Sequence, residues 1–440
     1  MHRELLQPHR GPRNRPLIWN CVLLVLLFCG IAPVVSGQDD GLKSVPAGFK
    51  DVPADCRIIV RWWWFGPSVT KPELERELRA MKEGGIGGVE VQPVYPQALD
   101  DPEHGFHNFP YLSDEFIEDL RFAAGKAHEL GLRIDLTLGS GWPFGGPHIP
   151  IQQAAGKLRV VSVSISPEVR SIPVPSIEAG ENILAAFVTS GEAKSGAKTA
   201  ALDLSEIRNG RLYLPDGRAP AGGVLWFIAS RTGMMVKRAA VGAEGFVLDH
   251  FDRAAIENHL STVGDRLMQA FGNGAPYAVF SDSLEVYDSD WTGDLLQEFR
   301  QRRGYDLTPY LPALVQDIGP KTSDIRRDWG RTLTELIDEH YLTPVREWAA
   351  QHKTRFRSQT YGIPAVTLAN NALVDLRGAF SRHTLPRTSS IWGRIGASLF
   401  LVLVEVFTWI SCTRGRMKKR RDFIQARLFT KKHLASRRRC

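Results

Sequence analysis

Short β-prone runs separated by amphipathic helical periods constrain this chain's fold more than any other feature of its sequence. Arg57 to Gly66 opens with β-branched residues and closes with aromatics, as a buried strand does. A helical stripe of Leu74, Leu78 and Met81 follows. Thr70 is placed to cap that helix, Pro72 falls in its first turn, and Gly84-Gly85 stops it. Gly87 to Tyr95 is a second run, a helix is expected from about Asp114 to Leu130, and Leu132 to Leu138 is a third run. Such units, roughly 30 to 45 residues each, predict a parallel sheet with helices outside it, either a barrel or an open sheet.

Between about 157 and 240 the rhythm changes. Lys157 to Ser166 and Ile183 to Val188 alternate apolar and polar residues, and Pro and Gly punctuate the rest. An antiparallel β module inserted in the barrel is expected there. The parallel rhythm returns at Gly245 to Phe251 and continues through a helix at Arg253 to Phe271. The run Tyr277 to Tyr287 comes next, then helices at about Gly293 to Arg303 and Asp324 to Lys353, and a run at Thr354 to Gly362. Six barrel strands are expected in all, about two fewer than a full barrel needs.

Polar residues gather where these runs end, which is where a parallel α/β protein places its chemistry. Glu90 and Gln92 follow the second run. Asp249 and His250, then Asp282, Glu285 and Tyr287, and finally Tyr361 follow later ones. Asp282 and Glu285, three apart, point to opposite faces if the segment is extended. Trp62, Trp63 and Trp64 are adjacent, so alternation sends Trp63 to the face opposite its neighbours. Any of the three could stack on a sugar ring, and at least one must be core. Gly139 to Pro147 holds Trp142 and Phe144 but fits neither a dinucleotide fingerprint nor a phosphate loop, and reads as an irregular substrate loop. The loop carrying Asp100, Asp101, Glu103, His104 and His107 suits calcium, substrate or plain solvent.

The formal net charge of +7 comes from the ends, with Arg3 to Arg15 at one and Arg414 to Arg439 at the other, so no nucleic-acid partner is expected. Five cysteines show neither a disulfide framework nor zinc spacing, and Cys56 is expected to be buried or unreactive. Residues 1–37 read as a signal peptide with a small-residue end at Val34 to Gly37, giving a secreted, periplasmic or cell-surface protein. From about Arg377 the character changes. Residues 378–440 hold an apolar run, Ile395 to Cys412, followed by a basic end. Two expectations compete for it: a frameshifted or truncated end, or a membrane anchor.

The runs RWWWFG at Arg61 to Gly66, GGVEVQP at Gly87 to Pro93 and GSGWPFGGP at Gly139 to Pro147 are followed by DSLEVY at Asp282 to Tyr287 and RSQTYG at Arg357 to Gly362. In this order they resemble glycoside hydrolase family 106, the α-L-rhamnosidases, over about residues 50–377. The resemblance implies an α/β fold, here a partial (β/α)8-type barrel. Its parts would be 50–156, an inserted antiparallel β module at 157–240, and 241–377. It also implies inverting hydrolysis of terminal α-L-rhamnosyl residues in a glycan, with calcium near the sugar. Inverting hydrolysis takes a protonated acid and a water-activating carboxylate about 6.5–9.5 Å apart. Glu285 is the expected acid, its pKa raised by burial or by Asp282. The base and the metal ligands stay unassigned. Trp62, Trp63, Trp64, Glu90, Gln92, Trp142, Asp249, His250, Asp282, Tyr287 and Tyr361 are the expected substrate contacts. The alternative is a non-catalytic sugar-binding or membrane-anchored remnant.

Overall fold

The computed structural model describes residues 52–53, 56–190, 198–214 and 222–359. The chain divides at Arg57 and Ile58 into two units. In the first, Cys56 is an exposed free thiol, against the expectation of burial. The tail, Tyr361 and the N-terminal segment lie outside the described residues.

The second unit runs in this order: β1 (Ile59–Phe65), α1 (Lys71–Glu83), β2 (Gly88–Val94), α2 (Asp114–Glu129), β3 (Arg133–Thr137) and β4 (Gly145–Gly146). Then come β5 (Gly156–Ile165), β6 (Ser171–Pro173), β7 (Asn182–Ser190), β8 (Lys198–Ala201), β9 (Ile207–Arg208), β10 (Arg211–Tyr213), β11 (Gly222–Arg231) and β12 (Phe246–Val247). The remainder is α3 (Arg253–His259), α4 (Asp265–Met268), β13 (Ala278–Ser281), α5 (Leu295–Arg303), α6 (Thr322–Leu336), α7 (Thr343–Gln351) and β14 (Arg355–Ser358).

Five strands make one parallel sheet in the order β1-β2-β3-β13-β14, so neighbours in the sheet follow one another along the chain. No closed sheet occurs among the described residues. One face carries Trp62, Trp64, Val89, Val91, Ile134, Leu136, Val279 and Phe356, all buried. These pack with Leu74 and Leu78 of α1 and Phe116, Leu120 and Ala123 of α2 in a single apolar core. At about 25 cal/mol per Å² of apolar surface, such burial is the main drive for laying helices on a sheet. The opposite face is polar and carries the candidate site.

Residues 245–251 do not form a sixth parallel strand. Phe246–Val247 pairs antiparallel with Gly145–Gly146. Glycine makes this pairing possible, because a Cβ on Gly145 would lie 2.2 Å from the Phe246 carbonyl oxygen. The segment then turns at once. Asp249 Oδ1 accepts the Phe251 N–H at 3.0 Å, and Asp252 Oδ1 caps α3 through the Ala254 N–H at 2.9 Å. Likewise only Ala278–Ser281 of the Tyr277–Tyr287 run is strand, and Asp282 to Tyr287 is irregular.

Between β4 and β12 the chain forms a four-stranded sheet, β5-β11-β7-β8, and a three-stranded sheet, β6-β10-β9, with every pairing antiparallel. Alternation explains the layering. Val224, Trp226 and Ile228 pack with Ile172 and Leu212 in a second core, while Phe227 of the same strand joins the first.

Two long helical segments carry π turns, at Leu260–Gly264 and Ile337–Leu342. The second sits just before Pro344, which lacks an N–H for the regular ladder. In the first, Gly264 lies against Trp348, where a Cβ would come within 2.7 Å of the indole.

Candidate active site

On the polar face, Arg61, Glu90 and Asp135 share one register row across β1, β2 and β3. Arg61 donates from Nε to Glu90 at 2.9 Å and from Nη1 to Asp282 at 2.8 Å. Arg357 of β14 pairs with Glu90 and, at 2.8 Å, with Asp135. The two guanidinium groups lie 5.0 and 5.1 Å from the centre of the Phe280 ring. Burial pushes the Asp135 carboxyl up to about 6, with the Arg357 charge pulling the other way. Glu90 and Asp282 are therefore engaged in an ion network.

The three tryptophans divide by face. Trp62 donates its indole N–H to Glu77 of α1 at 2.7 Å, and Trp64 meets Phe116 of α2 edge-on at 6.0 Å. Both are core, so neither is a substrate contact. Trp63 points to the polar face and is 40% exposed, with Phe65 stacked at 6.3 Å and Trp142 tilted at 6.5 Å. Gln92 is fully buried. It accepts the Thr137 hydroxyl at 2.6 Å and donates to the Gly141 carbonyl at 3.3 Å, which makes it a support for the Gly-rich loop.

Glu285 sits beyond β13 in a polar clamp. Lys237 Nζ lies 2.7 Å from Oε2, the Ser283 hydroxyl donates to Oε1 at 2.9 Å, and the Tyr287 hydroxyl donates to Oε2 at 3.3 Å. Lys237 also lies 4.0 Å from the centre of the Tyr287 ring, and Tyr287 is half exposed. The Glu285 carboxyl is held below its ordinary value, not above it as expected. Burial is the strongest single influence and acts upward, but the hydrogen bonds from Lys237 and Ser283 and the Lys237 charge together outweigh it. Lys237 itself comes from the segment that returns from the antiparallel sheets. It exchanges two backbone hydrogen bonds with Trp142, at 3.0 and 2.8 Å. Nothing in the sequence around Lys237 marks it, since it is a lone lysine in a segment without period. Arg61 and Arg357 stand inside recognisable strand runs, and only the register reveals that they meet.

Asp249 and His250 are buried, 1% and 3% exposed. Burial pushes the Asp249 carboxyl up to about 7 and His250 down to about 3. His250 meets the Tyr341 ring edge-on at 4.9 Å. Asp249 also caps the turn that follows β12, through the Phe251 N–H. A neighbouring pair that sequence reasoning missed also anchors the Gly-rich loop. His259 Nε2 donates to the Leu138 carbonyl at 2.8 Å, so its Nδ1 accepts from His148 Nε2 at 3.0 Å, and Phe144 stacks on His259 at 4.7 Å.

The loop at Asp100–Asn108 is closed on itself. Asp100 accepts from the Asn108 backbone and side chain and pairs with His107, and Asp101 pairs with His104 at 2.7 Å. No group of three or more His, Cys, Asp or Glu suited to a metal occurs among the described residues. With Glu90 and Asp282 both bound to Arg61, the oxygen-rich strand ends do not fit a calcium ion, which needs six or more oxygen ligands. Among the described residues no helix is long and apolar enough to cross a membrane. The run at 395–412 lies outside them.

An ionised carboxylate, aromatic faces and a Gly-rich loop gathered beyond the strand ends of a parallel sheet make a site for a small polar ligand, of the kind an α/β enzyme builds. The family model described as alpha-L-rhamnosidase matches residues 50–172 and 208–374, and the chain belongs to glycoside hydrolase family 106. It is 23% identical over 386 residues to a protein of Formosa agariphila named "Putative beta-glucuronidase", covering 76% of this chain and 32% of that one. The structure of a rhamnosidase from Novosphingobium sp. PP1Y shares the fold, with a TM-score of 0.52 at 19% identity, over 71% of this chain and 47% of the other. The chain thus spans about a third of the length of the curated relative and about half of the solved one.

Proposed function

We propose that this chain carries part of the catalytic site of an inverting glycoside hydrolase that removes terminal α-L-rhamnosyl residues from a glycan. In this reading the five sequential strands are one side of a (β/α)8-type barrel. Glu285 is the proton donor to the glycosidic oxygen. The observation that carries the proposal is the Glu285 clamp, set beside the exposed Trp63 and Tyr287 and the half-buried Trp142. An aromatic face suits the C–H face of a sugar, and a carboxyl held by three donors has a fixed direction.

A general acid must hold a proton, and in the open protein Glu285 is charged. Burial is already its strongest influence and acts upward. A sugar that covers the clamp deepens that burial, which favours the protonated form. Among carbohydrate classes, the site favours a neutral sugar over a uronate. Arg61 and Arg357 are each committed to two carboxylates, and Lys237 is committed to Glu285. This supports the rhamnosidase relationship over the beta-glucuronidase name of the Formosa relative.

The water-activating carboxylate is not assigned. Glu90, Asp135 and Asp282 are all tied to arginine, which favours a second reading, a protein that binds the sugar without cleaving it. Export to the periplasm, cell surface or medium, and calcium held by residues other than Glu90 and Asp282, belong to the same proposal. The test is hydrolysis of an aryl α-L-rhamnoside, with the anomer of the released sugar read by proton NMR. Inverted rhamnose supports the proposal. Retained product overturns the mechanism, and rhamnose binding without release of the aryl group selects the second reading.

A further inference from the structure

The segment from Thr232 to Glu244 leaves the antiparallel sheets and passes over the polar end of the parallel sheet before reaching β12. Three of its attachments bear on Glu285. Its backbone exchanges two hydrogen bonds with Trp142 in the Gly-rich loop. The Arg238 carbonyl accepts the Tyr95 N–H at 3.0 Å, while the Arg238 guanidinium lies 4.9 Å from the Tyr95 ring centre. Lys237 alone reaches the carboxylate, and it does so from a fixed backbone. The backbone that carries Lys237 is thus fixed in place before the side chain makes its contact.

We propose that Lys237 is a positioning residue of the reaction. It clamps the Glu285 carboxylate against Ser283 and Tyr287, and so couples the antiparallel sheets to the catalytic group. This rests on the reading of Glu285 as the catalytic carboxylate. The geometry separates Lys237 from an ordinary surface partner in two ways. Its ammonium is shared between Glu285 at 2.7 Å and the face of the Tyr287 ring at 4.0 Å, so it fixes two groups of the same loop at once. Both members of the pair are also largely shielded, with 29% and 27% of their side chains exposed, so the attraction is only partly screened. Lys237 touches no reacting atom in this scheme. It acts through the carboxylate it holds.

The test compares the full chain with Lys237→Met and Lys237→Arg. The first readout is the Glu285 side-chain carboxyl carbon, followed by NMR across pH and assigned with Glu285→Gln. Loss of the ammonium should move the Glu285 titration to higher pH in Lys237→Met, and Lys237→Arg should restore it toward wild type. The second readout is kcat and KM on an aryl α-L-rhamnoside, with a kcat loss of roughly ten- to a hundred-fold in Lys237→Met and little change in KM. An unmoved Glu285 titration in a folded Lys237→Met overturns the clamp, whatever the activity. If instead the titration moves as expected while wild type binds rhamnose and shows no turnover, the clamp stands and the catalytic reading of Glu285 falls. If Lys237→Met does not fold, the same titration is read in Lys237→Gln, where an unmoved midpoint has the same force.

Discussion

Gly141 lies hard against the segment that carries Lys237. It has φ +66°, and a Cβ added there would lie 2.0 Å from the Lys237 carbonyl oxygen and 2.8 Å from the Arg238 carbonyl carbon. Both neighbours are backbone, so no side chain can swing away. Gly141→Ala therefore forces the segment at Lys237 and Arg238 off the Gly-rich loop. The left-handed backbone costs a non-glycine residue about 1–2 kcal/mol. Withdrawal breaks the two Trp142–Lys237 backbone bonds, each worth about 1 kcal/mol net. The sum is a loss of about 3–4 kcal/mol, read as a lower midpoint in urea. Gly85→Ala supplies the control. Gly85 has φ +81° but nothing within 4 Å of an added Cβ, so it should lose only the conformational part, about 1–2 kcal/mol. The Glu285 titration should move up in Gly141→Ala and stay fixed in Gly85→Ala. Equal losses in the two variants, with Glu285 unmoved in both, would refute the contact argument.

Three further outcomes are expected. Asp249 has a folded pKa near 7 because of burial, above the ordinary 3.8, so the native state binds the extra proton between those values and its stability falls as pH rises from about 4 to 7. Asp249→Asn should flatten that part of the stability curve and be more stable than wild type at pH 8 than at pH 5, relative to wild type at each pH. An unchanged slope in urea titrations would count against the buried charge. Trp64→Ala should cost about 3–5 kcal/mol, whereas Trp63→Ala should leave the urea midpoint nearly unchanged and weaken rhamnose binding by calorimetry. A stability loss for Trp63→Ala as large as that for Trp64→Ala would show that the division by face is wrong. Calcium binding, measured by calorimetry, should be the same in wild type, Glu90→Gln and Asp282→Asn, and a weakened affinity in either variant would place the ion on the sheet after all.

What the sequence displays and what it hides follow from the range of each interaction. β1, β2 and β3 are legible because alternation and helical period are local patterns, and the change of rhythm after residue 157 coincides with antiparallel pairing. The opposite fates of Trp63 and its neighbours follow from the strand period, although which face was polar could not be read from the triplet. Gly245–Phe251 misleads because a short apolar run followed by Asp and His looks the same whether it continues a sheet or ends in a turn. Lys237 is invisible because its role depends on a partner 48 positions away and on a segment with no pattern. The Arg61–Glu90–Arg357–Asp135 network spans four strands, and it exists only once the register is set.

That register has a consequence for how the chain finds its fold. Sliding β1 by one residue would place Trp63 and Phe65 at the outward positions now held by Trp62 and Trp64. The inward position of Trp63 would pass to Trp64. The aromatic triplet would be nearly as well satisfied as before, so it cannot tell the two alignments apart. Arg61 can. In the slipped alignment its charge turns towards α1 and the helix core, and Glu90 and Asp282 lose a cation each. The ion network is thus a proofreader for strand alignment as well as part of the floor of the site. Removing Arg61 should leave a chain that still collapses onto its tryptophans but does so in two registers, seen as doubled indole resonances and unequal hydrogen exchange along β1.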